Sequence, residues 1–326
     1  MAYFENVLQK IGNTPLIRLS RLSFGLKPAI LAKVESFNPG GSTKDRIGIQ
    51  MILDAEEKGL LKPGGTIVEP TSGNTGVGLA MVASLRSYRV IFTMSEKMSR
   101  EKEALLRAYG AEVIRTPSFV SHDDKRSCYH VAERLAAEIP GAFSPNQYYN
   151  SGNPQAHYLY TGPEIWRDTG GKISHLVAGM GTGGTITGIA RYLKEKNRGI
   201  RIIGADPEGS LYTHEHRKAG WILRPYKTEG IGQDFLPGIM ELGLVDEVVT
   251  VSDRDAFLTA RRLAREEALL VGGSSGAAVF AALKAAQKLS EDDVLVVVLP
   301  DTGRNYLSTI FNDDWMKANG FLEAKK

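Results

Sequence analysis

An α/β fold built on parallel sheets is the expectation, and three observations carry it. Short β-branched runs alternate with helix-length patterns through both halves of the chain. Glycine-rich turns follow several of the apolar runs, at places where a strand would hand over to a helix. The length, 326 residues, suits two domains, although a single barrel of that size exists as an alternative.

The elements can be justified in order. Ile30-Leu31-Ala32-Lys33-Val34 reads as a strand, and a helix runs from Lys44 towards Lys58, stopped by Gly59. Thr66 to Glu69 is a strand and Gly76 to Leu85 a helix. Arg89 to Met94 is a strand, and Arg100 to Tyr109 a helix closed by Gly110 at C′. Ala111 to Ile114 returns as a strand, followed by a helix over Tyr129 to Glu138. The second half repeats the alternation. His175 to Ala178 and Ile200 to Ala205 are strands on either side of a helix from Thr185 to Lys196. Ser252 opens a helix to about Leu269, with Asp255 placed for a capping box. A helix from Gly276 to Leu289 leads into the buried-looking strand Val294 to Leu299. Pro140 to Pro154 and Asp206 to Phe235 read as domain crossings. Right-handed crossovers place the βα turns on one edge of each sheet.

The bulk numbers exclude several classes. A net charge of +3 makes no case for nucleic acid, and Arg261, Arg262 and Arg265, followed by Glu266 and Glu267, read as a solvated helix face. The single cysteine, Cys128, rules out an internal disulfide and a cysteine metal cluster, and points to a reducing cytoplasm. Its neighbours Lys125, Arg126 and His130 favour a thiolate, but the inert reading is preferred. No signal peptide is read at the N-terminus, and no apolar run spans a membrane. No metal is expected: the six histidines show no zinc-ligand pattern, and His214 and His216 read as surface residues.

The chemistry-bearing stretches are four. Asn38-Pro39-Gly40-Gly41-Ser42-Thr43-Lys44-Asp45-Arg46 places a lysine at a helix start, where the macrodipole opposes a cation by up to about 1 kcal/mol. The same field favours the neutral amine that a carbonyl cofactor needs. From spacing alone, an ordinary surface lysine remains the alternative. Thr71-Ser72-Gly73-Asn74-Thr75-Gly76 offers hydroxyls and N–H groups to a carboxylate, or is simply a polar N-cap. Gly181-Thr182-Gly183-Gly184-Thr185 lets backbone approach an oxygen-rich anion, or is a tight βα turn. Gly272-Gly273-Ser274-Ser275-Gly276 has the same ambiguity. One competing class is open: Gly179-Met180-Gly181-Thr182-Gly183-Gly184 satisfies G-x-G-x-x-G, and Asp206 lies where a ribose-binding acid would. An NAD-dependent oxidoreductase, however, leaves Lys44, the Asn74 turn and Ser274 without roles.

Taken together and in this order, the four loops resemble those of the fold-type II pyridoxal-phosphate enzymes, in the cysteine synthase and cystathionine β-synthase family. The likeness runs from Ile11-Gly12-Asn13-Thr14-Pro15-Leu16 to Trp315-Met316. It is closest to the cystathionine β-synthase branch, through Gly204-Ala205-Asp206-Pro207-Glu208-Gly209-Ser210, Glu229-Gly230-Ile231-Gly232 and Asn312-Asp313-Asp314-Trp315-Met316. The resemblance implies two three-layer αβα domains of tryptophan synthase β-subunit-like architecture. The expected boundaries are 38–150 for a smaller domain with a mobile, substrate-closing part, and 1–37 with 151–326 for a larger domain holding the cofactor phosphate. It further implies a catalytic core without the C-terminal regulatory module of some members or the N-terminal haem-binding extension of animal members.

The implied cofactor is pyridoxal 5'-phosphate. Lys44 would hold it as a Schiff base and act as general base. Gly181, Thr182, Gly183, Gly184 and Thr185 would bind its phosphate, Asn74 its phenolic oxygen, and Ser274 would face its pyridine nitrogen. Thr71, Ser72, Gly73, Thr75, Gln147 and Gly230 would bind substrate. The implied reaction is β-replacement on L-serine or an O-activated L-serine with homocysteine, giving cystathionine; sulfide with O-acetylserine or O-phosphoserine is the alternative. A cytoplasmic homodimer is implied by family analogy. Two departures bear on the second substrate: Gln233 stands where animal-type members carry Tyr, and Asn146 stands where the family pattern has Asp.

Overall fold

The computed structural model describes residues 3–323 except Ser72, Lys97, Ser99, Phe119, 121–123, Ala219 and 221–222. The chain divides into two compact units, one of Met1–Ile11 with Asn38–Asn153 and one of Gly12–Phe37 with Pro154–Lys326. The segment Met1–Ile11 groups with the smaller unit, whereas the sequence reading assigns it to the larger; consecutive left-handed residues, Gly12 and Asn13, mark the break.

The larger unit opens with β1 (Leu16–Arg18) and β2 (Ala29–Val34). The smaller unit follows as α1 (Lys44–Glu57), β3 (Thr66–Pro70), α2 (Asn74–Arg86), β4 (Arg89–Ser95), α3 (Arg100–Ala108), β5 (Glu112–Thr116) and α4 (Cys128–Glu138). After the short α5 (Gly152–Ala156) and α6 (Gly162–Asp168), the larger unit continues as β6 (His175–Gly179), α7 (Gly184–Lys196), β7 (Arg201–Pro207), α8 (Tyr212–Arg217) and β8 (Glu247–Val251). It ends with α9 (Asp253–Glu266), α10 (Gly273–Ala286), β9 (Val294–Leu299) and α11 (Asp313–Ala318).

The larger sheet has the order β1-β2-β9-β6-β7-β8, parallel except for the antiparallel edge strand β1. Its three layers follow from the two-residue period of β9. Leu295, Val297 and Leu299 pack with Phe257, Ala260, Ala278 and Ala282 of α9 and α10. Val296 and Val298, facing the other way, pack with Ile165, Ile186, Ile189 and Leu193 of α6 and α7. Burial on both faces explains why β9 reads as an unbroken apolar run. Two short strands, β1 and β8, escape the sequence reading. Ser252 caps α9 as expected, but Asp255 accepts from the Ser252 hydroxyl rather than closing the reciprocal box. The basic cluster on α9 is only partly solvated. Arg262 pairs with Glu266 at the surface, whereas Arg261 is buried and reaches the Ile310 carbonyl and Asp313.

The smaller sheet is the parallel trio β3-β4-β5. Helix α4 covers one face through Val68, Ile91 and Ala132, and α2 packs against β4. The closest approach in this unit is between α1 and α2. A Cβ on Gly48 would lie 2.6 Å from the Gly78 carbonyl carbon, and one on Gly78 would lie 2.5 Å from the Lys44 carbonyl oxygen. The two helices therefore cross backbone to backbone, and only glycine fits at either position. No helix among the described residues is long and apolar enough to cross a membrane.

A single methyl tests that crossing. Gly78→Ala must push α1 away from α2, so urea unfolding should show a loss of about 1–3 kcal/mol, the usual cost of overpacking. Unchanged stability would mean the crossing tolerates a side chain.

Candidate active site

In the smaller unit the site begins at the start of α1. Gly41, with φ +81, turns the chain and donates its N–H to the Asn38 carbonyl at 2.8 Å. The Asp45 carboxylate folds back over this turn to accept the Gly40 N–H at 2.6 Å. Asp45 thus supplies the negative charge that the helix start favours. Lys44 is half-buried, and its own N–H donates to the Ser42 hydroxyl at 3.1 Å. The neighbouring Thr43 hydroxyl is buried with no hydrogen-bond partner among the described residues.

Helix α2 begins at Asn74, two residues earlier than the sequence suggests, so Asn74 and Thr75 belong to its first turn. Gly78 is one helical turn further on, so the glycine crossing sets the Lys44 end of α1 beside the start of α2. Thr71 and Thr75 are both buried, and the Thr71 hydroxyl accepts the Gly73 N–H at 3.4 Å. Thr75 Oγ1 donates to Gln147 Oε1 at 2.7 Å. The structure therefore brings together Lys44, Thr71, Gly73, Asn74, Thr75 and Gln147 within one unit; Ser72 lies outside the described residues.

The end of β3 carries a residue to which the sequence reading gives no role of its own. Glu69, 1% exposed on β3, accepts the Asn146 N–H at 2.9 Å and the Gln147 N–H at 3.3 Å. Burial pushes its carboxyl up to about 7, against the pull of those two N–H donors. Asn146, the departure from the family pattern, adopts φ +47, a conformation that asparagine tolerates better than most residues. Glu69 sits in the conspicuous run Glu69-Pro70-Thr71, but no local pattern marks a strand acid as the partner of a loop more than seventy residues on.

In the larger unit the loop after β6 is shaped by neighbours that exclude side chains. A Cβ on Gly181 would lie 2.4 Å from the Gly230 carbonyl oxygen, and Gly183 has φ +90 with Met240 within 2.7 Å of its would-be Cβ. Tyr212 donates its hydroxyl to the Gly181 carbonyl at 2.5 Å. Helix α7 starts at Gly184 and no side chain of its N-cap, Gly183, closes it, which leaves a row of backbone N–H groups at the end of a long helix. Thr182 is buried, and Thr185 is hydrogen-bonded to the buried His157 at 3.1 Å. The other ring nitrogen of His157 meets Thr161 at 2.9 Å, so this histidine braces the loop from beneath.

Ser274, 3% exposed, is in the first turn of α10, which begins at Gly273 rather than at Gly276 as the sequence suggests. Gly276 is a packing residue inside that helix: a Cβ there would lie 2.0 Å from the Ala256 carbonyl oxygen of α9. A Cβ on Gly230, φ +84, would come within 3.8 Å of Ser274 Oγ, so Gly181, Gly230 and Ser274 lie in one neighbourhood. Ser275 Oγ is buried without a hydrogen-bond partner among the described residues. Behind this turn Tyr306 donates to Asp301 at 2.7 Å; burial, followed by the Asp301 charge, holds the phenol well above its ordinary range.

The competing nucleotide reading finds no support in Asp206. That carboxylate is fully buried and accepts both the Thr213 N–H, at 2.8 Å, and the Thr213 hydroxyl, at 2.7 Å. Its Oδ2 is committed to the turn into α8. Likewise His216 is hydrogen-bonded to the Val245 carbonyl.

A glycine-rich loop with an open helix start in the larger unit, and a lysine at a helix start with neighbouring hydroxyls in the smaller, are the features of an enzyme class that handles a phosphorylated cofactor. The sequence pattern of the family described as pyridoxal-phosphate dependent enzyme matches residues 7–301, and the chain belongs to that family. Its fold is that of the fold-type II members and its cofactor is pyridoxal 5'-phosphate. The donors present in the larger unit fit that group: glycines that keep Cβ atoms out of the loop after β6, an open helix start, and a buried hydroxyl beside Ser274.

Among similar proteins, cystathionine beta-synthase of Oryctolagus cuniculus is 51% identical over 323 residues, 98% of this chain and 59% of the relative. The Saccharomyces cerevisiae protein of the same name is 46% identical over 330 residues, 98% of this chain and 65% of the relative. The chain thus spans about three fifths of the length of these curated relatives. The crystal structure of a hydrogen sulfide-producing enzyme from Fusobacterium nucleatum matches with TM-score 0.86 and 37% identity, covering 94% of this chain and all of that one. That of O-ureido-L-serine synthase matches with TM-score 0.89 and 38% identity, covering 97% of this chain and all of that one.

The buried Glu69 makes stability depend on pH. Its folded carboxyl titrates near 7 and an unfolded one near 4.5, so the folded state holds the proton more tightly. The contribution is constant below the lower value, falls as pH rises between the two, and is flat above. Urea midpoints of the wild-type protein should therefore drop more between pH 5 and 7.5 than those of Glu69→Gln. Equal drops would place the titration elsewhere.

Proposed function

We propose that the chain catalyses β-replacement on L-serine or an O-activated L-serine, with homocysteine as the thiol and cystathionine as the product. The observation that carries this is the identity at about half of the aligned positions, over 98% of the chain, to relatives named cystathionine beta-synthase. When bound, pyridoxal 5'-phosphate supplies the electron sink for loss of the α-proton and the β-substituent. The chain supplies binding, orientation and proton transfer.

In this reading Lys44 Nζ holds the cofactor and then moves the α-proton as general base and acid. Gly181 to Thr185 present N–H and hydroxyl donors to the phosphate. Asn74 contacts the phenolic oxygen and Ser274 the pyridine nitrogen. Thr71, Ser72, Gly73, Thr75 and Gln147 take the substrate carboxylate, and Gly230 gives it room. We assign the protein to the cytoplasm and to a homodimer, in keeping with its reducing-compartment composition and family analogy.

A second reading, sulfide as the nucleophile, has one observation in its favour. The Gln233 backbone is tied to Leu211 and Ser210, while its half-buried side chain makes no hydrogen bond among the described residues. A flexible amide with both donor and acceptor capacity recognises an amino-acid thiol less rigidly than an aromatic wall would. Sulfide needs no such recognition. We expect cystathionine formation with loose thiol selection, and kcat/KM values for homocysteine and sulfide measured with serine, O-acetylserine and O-phosphoserine decide the matter. A preference for sulfide of several orders of magnitude would make cysteine synthesis the function.

Lys44→Ala should leave the fold intact, bind cofactor weakly and turn over negligibly. Borohydride should then fix no cofactor to the chain; fixation at another lysine with near-normal turnover would reassign the role. Gly183→Asp places a carboxylate and a strained Cβ in the phosphate cradle. Each lost charge-assisted bond is worth about 1.5–3 kcal/mol, so cofactor titration should show a loss of at least about tenfold. Unchanged affinity would move the phosphate site.

A further inference from the structure

The loop carrying Gln147 is held by a carboxyl group from its own chain. Asn146 and Gln147 donate successive backbone N–H groups to the two oxygens of one carboxylate, Oε2 and Oε1 of Glu69, at 2.9 and 3.3 Å. Successive N–H groups beside a left-handed residue form a concavity suited to an anion, and Asn146 has φ +47. Here the acceptor is a buried strand residue. Asn153 secures the other side of the turn by donating to the Gln147 carbonyl at 2.8 Å. With its backbone held at both N–H and C=O, Gln147 presents Oε1 to Thr75 Oγ1 at 2.7 Å. Glu69, Asn146, Gln147, Asn153 and Thr75 all belong to the smaller unit.

We infer that Glu69 is a positioning residue for amino-acid substrate binding, acting through the backbone of Asn146 and Gln147 to fix the Gln147–Thr75 pair. The inference rests on the assignment of Gln147 and Thr75 to the substrate carboxylate. Its chemical basis is that a carboxylate offers two acceptor oxygens, enough for both N–H groups. An amide of the same shape offers one oxygen and turns an NH2 group towards the second N–H, so Glu69→Gln releases one end of the clamp. A change confined to amino-acid binding follows. The cofactor cradle lies in other residues, and the thiol is not held by Gln147.

The test is a double-mutant cycle on the cofactor-loaded enzyme with Glu69→Gln, Gln147→Ala and the pair, reading KM for serine, KM for homocysteine and kcat. Glu69→Gln should raise the serine KM about tenfold, the loss of roughly one charge-assisted bond. It should leave the homocysteine KM and the visible spectrum of the cofactor unchanged. In the Gln147→Ala background it should add nothing, because the residue it acts through is gone. Effects that multiply, or a rise in both KM values together, would overturn the inference and leave Glu69 a structural residue. Gln147→Ala with an unchanged serine KM would overturn the assignment of Gln147 itself, and the inference with it. Should Glu69→Gln fail to fold, amide exchange of the wild-type protein decides: both N–H groups, at 146 and 147, should be protected well beyond solvent-exposed loop amides, and rapid exchange at both overturns the clamp.

Discussion

The contact between Gly48 and Gly78 is the constraint that fixes the start of α1 against α2 in the smaller unit. Helices with ordinary side chains keep their axes 8–10 Å apart, and a Cβ at either glycine would fall within 2.6 Å of the other helix's backbone. Removing both Cβ atoms lets the first turn of α1 touch α2 directly, through the Lys44 carbonyl itself. The lysine is thereby fixed relative to Asn74 and Thr75 by main chain rather than by side-chain packing. Backbone contact has few rotamers to lose. That is the stiffness an amine needs if it is to reach one carbon of a bound molecule and return its proton to the same place.

The larger unit solves a different problem with the same residue type. Its glycines at 181, 183 and 230 bring main chain close to main chain in a loop, not in a helix crossing, and two of them need positive φ as well as space. Bulk is supplied from beneath. His157 braces Thr185, and Tyr212 holds the Gly181 carbonyl. Flexibility in the local sequence is thus cancelled by rigid, buried partners. A glycine-rich loop can then be both permissive to an anion and well ordered.

What was legible in the sequence follows from which of these relations are local. β9, α1 and α7 were readable because burial on both faces or on one stripe leaves a periodic trace over many residues. The Lys44 turn and the Gly181 loop stand out in the sequence because each contains consecutive glycines. The starts of α2 and α10 were placed late because Asn74 and Ser274 look like turn residues, although each occupies a first helical turn. Arg261 was misjudged because its partners, the Ile310 carbonyl and Asp313, lie some fifty residues on. Glu69, His157 and Tyr212 were invisible for the same reason. Their roles are set by partners remote in sequence, and nothing in a run such as Thr66-Ile67-Val68-Glu69 announces a clamp.

Three of these remote relations share one form. Glu69 near the end of β3, Asp206 near the end of β7 and Asp301 just after β9 are all buried acids at the carboxyl edge of a parallel strand. Each accepts from the segment that follows or returns to that edge: the 146–147 N–H groups, Thr213, and Tyr306. The carboxyl edge is where loops in α/β sheets meet ligands, so those loops need anchorage that does not use up their outward-facing donors. An apolar anchor cannot orient an N–H group. An amide brings a donor along with its acceptor, which must itself be satisfied once buried. A carboxylate is acceptor-only, and Glu69 uses both of its oxygens, at the cost of desolvation that raises its proton affinity, as Glu69 and Asp206 both show. The same acid that resembles a ribose ligand in the linear motif, Asp206, is therefore an anchor in the fold, and its burial is what separates the two meanings.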